Sequence, residues 1–199
     1  MNKRSGIESR KKIIDAAMYV FSRQDFMKAT IREIAKYAGI SIGGVYLYFK
    51  NKEELYKSLI NERMRDIDSQ LRITAQDAGS ATEALSDFLT LHLENALKHK
   101  EFILLHVREH GFAFGMEEKK KFFKRQKKII EQIILKGIST GEFRNCDAKK
   151  MADILMGSLR GIILSIALDN NVYITQKMLK EFIFQGLLTG SKEKALPLL

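Results

Sequence analysis

The 199-residue sequence predicts an all-α protein of about nine helices, with a small N-terminal head and a larger helical body. Helix-forming residues dominate throughout, and the single proline, Pro197, lies close to the end of the chain. Apolar residues recur at intervals of three and four along most of the chain, which is the spacing of one face of an α-helix. An apolar content of 45% supplies a sizeable core and excludes global disorder.

The composition also predicts where the protein is found. One cysteine, Cys146, excludes an internal disulfide framework and is typical of a reducing compartment. The basic N-terminus is not followed by an apolar run of signal-peptide length. The longest uncharged apolar run, residues 161 to 168, is too short to span a bilayer. We therefore expect a soluble, cytoplasmic protein without a membrane partner.

The net charge of +10 is distributed unevenly along the chain. Residues 1 to 60 contain 12 Lys and Arg against 6 Asp and Glu, whereas residues 61 to 199 contain 22 against 18. Within this second part, the run 119–128 alone contributes seven cations. A basic head on a nearly neutral body indicates a polyanion partner at one end, although composition does not separate DNA from RNA or an anionic membrane.

The segment TIREIAKYAGISIGGVYLYFKNKEEL, residues 30 to 55, predicts two short helices joined by a tight turn. Thr30 is a good N-cap, and Glu33 follows at the spacing of a capping box. Gly39 is suited to the left-handed residue after a helix, and Ser41 is suited to cap the next one. This arrangement is a helix-turn-helix, whose second helix enters the major groove of DNA.

The flanking segments also favour contact with a polyanion. A flexible basic arm, residues 1–5, is predicted to precede a helix over residues 6–24. Arg10, Lys11 and Lys12 lie near its first turns, where cations oppose the helix dipole; phosphate contact explains this better than a solvated face. The helix over residues 42–48 carries Gly43 and Gly44, each of which costs roughly 1 kcal/mol relative to Ala. Close approach of the backbone to DNA would explain both glycines.

The residues of the head resemble those of TetR-family transcriptional regulators. The resemblance covers residues 8 to 60 and rests on these fixed spacings: Ile34-Ala35, Ala38-Gly39-Ile40-Ser41, Gly43, Tyr46, Tyr48-Phe49 and Lys52-Glu53-Glu54-Leu55. The resemblance implies a homodimer that binds a palindromic operator and is released from it by a small hydrophobic effector. It also implies a DNA-binding domain at 1–52 and a ligand-binding and dimerisation domain at 53–199.

The predicted DNA contacts combine the charge argument with this resemblance. They are Arg10, Lys11, Thr30, Ser41, Ile42, Gly43, Gly44, Tyr46, Tyr48 and Lys52. The cations of the arm and of the first helix, together with Tyr46, Tyr48 and Lys52, are expected to hold phosphates. Ile42, Gly43 and Gly44 are expected to face base edges. Two positions depart from the family pattern. Gly44 stands where the family often has Thr, Ser or Ala, and Tyr48 stands where His is frequent.

The body predicts an apolar effector site and a helical dimer interface. The candidate effector residues are Phe88, His92, His106, His110, Phe122, Leu155 and Leu159. The resemblance implies an interface formed by the last two helices, with Leu155, Leu159, Ile162, Ile163, Ile166, Leu179, Phe182, Ile183 and Leu187. The cations of 119–128 suit a solvated helix face or, alternatively, a dock for an anionic group of the effector.

Two other functions remain open from the residues alone. His106, Glu109 and His110 form an H-x-x-E-H sequence, the order found in inverted zinc peptidases, so a metal-dependent helical enzyme is one alternative. The other is a nucleoid-type protein that binds DNA without regard to sequence. The predicted function remains a ligand-responsive repressor that has no catalytic residues, no metal and no cofactor.

Overall fold

A computed structural model describes residues 3–108, 116–168 and 176–188, and these ranges are all α-helical apart from short connections. The described residues form nine helices: α1 (Lys3–Arg23), α2 (Ile31–Ala38), α3 (Ile42–Tyr46), α4 (Lys52–Asp77), α5 (Ala81–Lys98), α6 (Lys100–Arg108), α7 (Met116–Ser139), α8 (Ala148–Leu168) and α9 (Gln176–Leu187). The all-α prediction is confirmed.

The chain divides into two compact units. The first comprises Met1–Ile67 and His99–Phe122, and the second comprises Asp68–Lys98 and Phe123–Leu199. Helices α4 and α7 therefore contribute residues to both units. The expected domain boundary at 52/53 stays a prediction.

The core of the first unit is built on three aromatic rings. Phe21, Phe26 and Tyr56 have ring centroids 5.2 to 5.5 Å apart, and two of the three pairs meet edge to face. All three side chains are buried, as are Val45 and Phe49. Aromatic pairs in this geometry add stability beyond the area that they bury. The cluster joins α1, the α1–α2 loop and α4 around the short helices α2 and α3.

The ends of two helices differ from the prediction. Helix α1 begins at Lys3, so Lys3 to Ser5 belong to the helix rather than to a flexible arm. Helix α3 ends at Tyr46 instead of Tyr48. The N–H of Tyr48 donates to the carbonyl of Val45, three residues earlier, in a hydrogen bond of 3.0 Å, which tightens the chain into a turn. This turn directs Phe49 into the core, where it is 2% exposed.

The second unit packs α5 against α8 and α9. The loop after α7 secures this packing. Glu142 accepts hydrogen bonds from the N–H groups of Ala81 and Thr82 at the start of α5, 3.0 and 2.8 Å long. These backbone donors lower the pKa of Glu142 to about 2. Arg144 donates from its backbone N–H to the Leu187 carbonyl and from its side chain to the Gly186 carbonyl.

Helix α8 is long and apolar enough to cross a membrane by length and composition, with a mean hydropathy of 1.7 in its most apolar window. Neither its length nor its composition distinguishes such a span from a core helix of a soluble protein. One face of α8, including Ala152, Leu155 and Leu159, is buried in the second unit. The opposite face is apolar and exposed at Ile154 and Leu168.

Candidate nucleic-acid interface

The turn between α2 and α3 is fixed at both ends by hydrogen bonds of the predicted kind. The Thr30 hydroxyl accepts from the Glu33 N–H (3.2 Å), while the Glu33 carboxylate accepts from the Thr30 N–H (2.9 Å). Hydrogen bonds from the Thr30 side chain and backbone lower the pKa of Glu33. Gly39 adopts φ 64°, in the left-handed region, and the Ser41 hydroxyl accepts from the Gly44 N–H (3.0 Å). The predicted capping box and both caps are confirmed.

Helix α3 presents one face to the core and one to solvent. Val45 and Phe49 are buried, whereas Ile42, Tyr46 and Leu47 are 40%, 51% and 75% exposed. Gly43 is also exposed, and a Cβ atom at this position would meet nothing within 4 Å. The outward face therefore consists of two apolar side chains and a tyrosine around a flat glycine.

The structure gives Gly44 a different role from the predicted close approach of its backbone to DNA. Gly44 is half-buried, and a Cβ atom added there would lie 2.7 Å from Ile40 Cγ2 and 3.1 Å from Ser41 Oγ. Close packing inside the turn therefore explains a glycine at this position without close approach to a base edge. Among the two glycines, only Gly43 lies on the open surface where a groove could be approached.

A shallow cleft runs between α2, α3 and the start of α4. Its lining residues are Ala29, Ile31, Arg32, Ile42, Tyr46, Asn51 and Lys52. The Asn51 side-chain oxygen caps α4 by accepting from the Glu54 N–H (2.8 Å). The first turn of a 26-residue helix favours an anion through its N–H groups and its dipole. Together with Arg32 and the Tyr46 hydroxyl, this end of α4 has the chemistry of a phosphate site.

Lys52 does not present a free ammonium group in this cleft. Its Nζ donates to the carbonyl oxygens of Phe26 (2.5 Å), Ala29 (2.7 Å) and Met27 (3.3 Å) and lies 4.5 Å from the centre of the Phe26 ring. An ammonium group has three donors, and these carbonyls occupy all of them. The predicted phosphate contact is therefore replaced by a positioning function, in which Lys52 ties α4 to the α1–α2 loop.

The two predicted cations of α1 differ in their surroundings. Arg10 forms an ion pair with Glu62 on α4, and its guanidinium lies 5.2 Å from the centre of the Phe49 ring. Lys11 is exposed. Since α1 begins at Lys3, both residues lie beyond the first turn, where the helix dipole has little effect. The dipole argument for Arg10 and Lys11 is therefore wrong, and Arg10 has a partner within the first unit.

The remaining predicted DNA residues have hydroxyl groups. Those of Thr30 and Ser41 serve as helix caps, and the Thr30 hydroxyl also donates to the Glu33 carboxylate (2.9 Å). Tyr46 is half-exposed, and Tyr48 is partly buried at the end of α3. The structure thus brings Ile42, Tyr46 and the start of α4 together in one cleft. Sequence reasoning missed Arg32 and Leu47, although each is exposed on α2 or at the end of α3.

Comparison with known proteins places this head in a family. The sequence model of the family described as bacterial regulatory proteins, tetR family, matches residues 13–59. The chain is 26% identical over 164 residues to the fatty acid metabolism regulator protein of Bacillus subtilis, covering 81% of this chain and 84% of that protein. Its DNA-binding head, residues 13–59, belongs to the TetR family. The chain is therefore a DNA-binding transcriptional regulator, and α3 is the second helix of its helix-turn-helix.

Solved structures confirm the all-α fold over most of the chain. FadR of Bacillus halodurans has a TM-score of 0.73 at 21% identity, with 89% of this chain and 93% of that chain covered. FadR of Bacillus subtilis in complex with stearoyl-CoA has a TM-score of 0.73 at 23% identity, covering 90% and 98%. TetR-family regulators are soluble and act as dimers, and these relatives are regulators rather than enzymes.

The predicted effector residues fall into three groups. Phe88, His92, Leu155 and Leu159 are buried in the second unit. Phe122 is buried in the first unit. The side chain of His106, together with Glu109 and His110, lies outside the described residues. Among the side chains that are described, no group of three or more His, Cys, Asp or Glu has an arrangement suited to a metal ion.

His92 belongs to a buried polar chain that joins α5, α7 and α4 in the second unit. Its Nε2 lies 2.6 Å from Gln126 Oε1, and Gln126 Nε2 donates to Asp68 Oδ1 (3.2 Å). Asp68 Oδ2 accepts from Arg125 Nε (2.6 Å). Because the carboxylate fixes the Gln126 amide, the Nε2 of His92 carries the proton. Burial lowers the pKa of His92 to about 4, so the imidazole is neutral at pH 7.

The cationic run 119–128 is not a uniformly solvated face. Lys119 is buried, and burial lowers its pKa. Lys120 pairs with Glu117 (2.9 Å), and Lys127 pairs with Asp153 (2.5 Å). Arg125 pairs with Asp68. Lys121, Lys124 and Lys128 are exposed, and the last two lie in the second unit.

The predicted dimer residues are mostly used inside the chain. Leu155, Leu159, Ile162, Ile166, Leu179, Ile183 and Leu187 are all 1% to 9% exposed, so they form the core of the second unit. Ile163 is partly buried. Only Phe182, 72% exposed, has most of its surface available to a partner. Both the buried stripe and the exposed stripe of α8 and α9 contain apolar residues. The sequence pattern therefore did not distinguish the residues of the core from those available to a partner.

We expect Lys52→Met to weaken the head without removing a phosphate contact. Leaving the loop carbonyls without a donor is expected to reduce the free energy of unfolding by about 1–3 kcal/mol. The slope of log K against log salt for duplex binding should not change. Lys11→Met, measured in parallel, should leave stability intact and lower that slope by about one if Lys11 contacts a phosphate. A loss of slope without a loss of stability for Lys52→Met would restore its phosphate role.

The buried His92 predicts a stability change with pH. The unfolded chain takes up a proton near pH 6.5, whereas folded His92 does so only near 4. The free energy of unfolding should therefore fall as pH drops from 6.5 toward 4, by about 1.4 kcal/mol per unit from this residue. Urea denaturation of wild type and His92→Asn across this window isolates the contribution. Equal pH slopes for the two proteins would contradict the assignment.

Proposed function

We propose that this protein is a cytoplasmic, homodimeric repressor that binds a palindromic operator and is released from it by a long-chain acyl-CoA. The observation that carries the proposal is the exposed face of α3 beside the α4 phosphate cleft, on the head of a TetR-family chain. No catalytic residue is needed for this function. We retain residues 1–52 as the DNA-binding domain and 53–199 as the ligand-binding and dimerisation domain.

The proposed phosphate contacts follow from exposure and charge. Arg32 and the Tyr46 hydroxyl flank the first turn of α4, whose N–H groups suit a phosphate oxygen. The exposed Lys11 of α1 and the Tyr48 hydroxyl are further candidates. Contacts of this kind set the register of the protein on the duplex and make binding weaken steeply with salt.

The proposed effector class is supported by two observations. The Bacillus subtilis FadR structure, similar over 90% of this chain, contains stearoyl-CoA, and a relative at 26% identity is a fatty acid metabolism regulator. The second unit has an apolar core around Phe88, Leu155 and Leu159, together with the exposed cations Lys124 and Lys128 on α7. An apolar core suits an acyl chain, and exposed lysines suit the phosphates of coenzyme A.

Stearoyl-CoA is expected to weaken binding to the duplex upstream of the protein's own gene by about 5- to 150-fold, the usual range of allosteric coupling. Coenzyme A alone and stearate alone are the controls, because each is one half of the ligand. Neither compound should weaken binding to the duplex. The substitutions Lys124→Gln and Lys128→Gln should raise the concentration of stearoyl-CoA required, whereas Lys149→Gln on α8 should not. If stearoyl-CoA leaves duplex affinity unchanged, the acyl-CoA class is wrong.

We propose that a second copy covers the outer face of α8 and α9. Along α8 this face is Ile154, Gly157, Gly161, Leu164 and Leu168, a strict alternation of three- and four-residue steps. Along α9 it includes Met178 and Phe182, 53% and 72% exposed. A Cβ atom at Gly157 or Gly161 would meet nothing within 4 Å, so these positions leave room for a partner helix. A spacing of three and four suits helices packed in a four-helix bundle.

Phe182→Asp is expected to convert the dimer into a monomer of 22.8 kDa, because a carboxylate would be buried in an apolar interface. Ile73→Asp is a matched control, since Ile73 is 54% exposed on α4 and outside the proposed interface. Sedimentation equilibrium of both variants measures the mass directly. A dimeric Phe182→Asp protein, or a monomeric wild type, would contradict the proposed interface.

A further inference from the structure

We infer that α3 reads the C5-methyl groups of thymines in the major groove, with Leu47 and Ile42 as the specificity-determining side chains. The inference rests on the DNA-binding function and names the chemistry by which the recognition helix distinguishes bases. Leu47 was not among the residues that the sequence pattern indicated for DNA contact.

The first observation is the exposure of large apolar side chains at both ends of α3. Leu47 is 75% exposed and Ile42 is 40% exposed, whereas Val45 and Phe49 between and beyond them are almost fully buried. Gly43 leaves the surface between the two side chains flat. At 1.5 Å per residue, Leu47 and Ile42 are separated by about 7.5 Å along the helix axis, roughly two base-pair steps of 3.4 Å.

The second observation is the absence of a polar base reader on α3. The helix sequence IGGVY contains no Arg, Lys, Asn, Gln, Asp or Glu, which are the side chains that make specific hydrogen bonds to base edges. The Ser41 hydroxyl before it already accepts from the Gly44 N–H. Tyr46 lines the cleft with Arg32 and the start of α4, and a phosphate is a suitable partner for its hydroxyl group.

The groups that base pairs present in the major groove indicate which base such a surface contacts. The thymine C5-methyl is the apolar group that base pairs present in the major groove, and aliphatic side chains contact it favourably. A recognition surface of leucine, isoleucine and glycine therefore discriminates thymine from cytosine by burial of a methyl group. Removing one such methyl from an apolar contact weakens binding by about fourfold.

The test uses duplexes in which deoxyuridine replaces thymine, because uracil keeps every hydrogen-bonding group and loses only the methyl. A random duplex library is first selected on the wild-type protein, and the enriched duplex is then synthesised with one replacement at a time. We expect about fourfold weaker binding at two or more thymines of each half-site. Leu47→Ala or Ile42→Ala should each abolish the difference at its own thymine.

Two further variants control for folding and for general apolar loss. Leu47→Met keeps an apolar side chain of similar size and should retain the preference for thymine. Ile73→Ala removes an apolar side chain of α4 that is 54% exposed, between the values for Ile42 and Leu47, and should change nothing. Circular dichroism melting of each variant verifies that the head is folded.

Each outcome decides the inference. Equal affinity of wild type for every thymine and uracil pair overturns it, as does a preference that survives in both alanine variants. Failure to enrich any duplex overturns the DNA-binding function together with it, whereas enrichment with equal thymine and uracil affinity leaves that function intact. A preference that is lost in Leu47→Ala and retained in Leu47→Met confirms Leu47 as a thymine reader.

Discussion

The contact between Gly44 and Ile40 is the constraint on which the DNA-binding surface depends. A Cβ atom at Gly44 would approach Ile40 Cγ2 to 2.7 Å, so a larger residue at this position would require the Ile40 side chain to shift. Gly39, in the left-handed region, reverses the chain just before this contact. These two glycines lie in and next to the turn that leads into α3. Val45 and Phe49 are buried in the core, and Ile42, Tyr46 and Leu47 are exposed.

The helix that follows α3 has an attachment of its own. Lys52 bridges the start of α4 to three carbonyls of the α1–α2 loop, and its ammonium group lies 4.5 Å from the centre of the Phe26 ring in the aromatic cluster. Lys52, which the sequence predicted to bind a phosphate, therefore links α4 to the α1–α2 loop beside the cleft. In the second unit, the apolar residues of α8 and α9 also fall into two groups with different surroundings. The inner stripes of α8 and α9 form the core, whereas the outer stripe of α8, with Gly157 and Gly161, is exposed.

The helices and caps were predictable from sequence because their signals are local. Thr30, Glu33, Gly39 and Ser41 act within a few residues of their own positions, and each was predicted correctly. The partner of Lys52 is more than twenty residues away, so spacing could not reveal it. Apolar periodicity likewise does not distinguish the two apolar faces of α8, and it assigned buried Leu155 and Leu159 to the dimer interface. Exposure of Leu47 depends on where α3 ends, and the predicted helix ran two residues too far.

The most direct measurement of the central claim is duplex binding at physiological salt. The protein would be titrated with the region upstream of its own gene and with a shuffled duplex of the same base composition. We expect protection of a palindromic site and an affinity at least about a thousandfold higher for that region. Equal affinity for both duplexes, without a protected site, would contradict operator binding and indicate a nucleoid-type protein that binds DNA without regard to sequence.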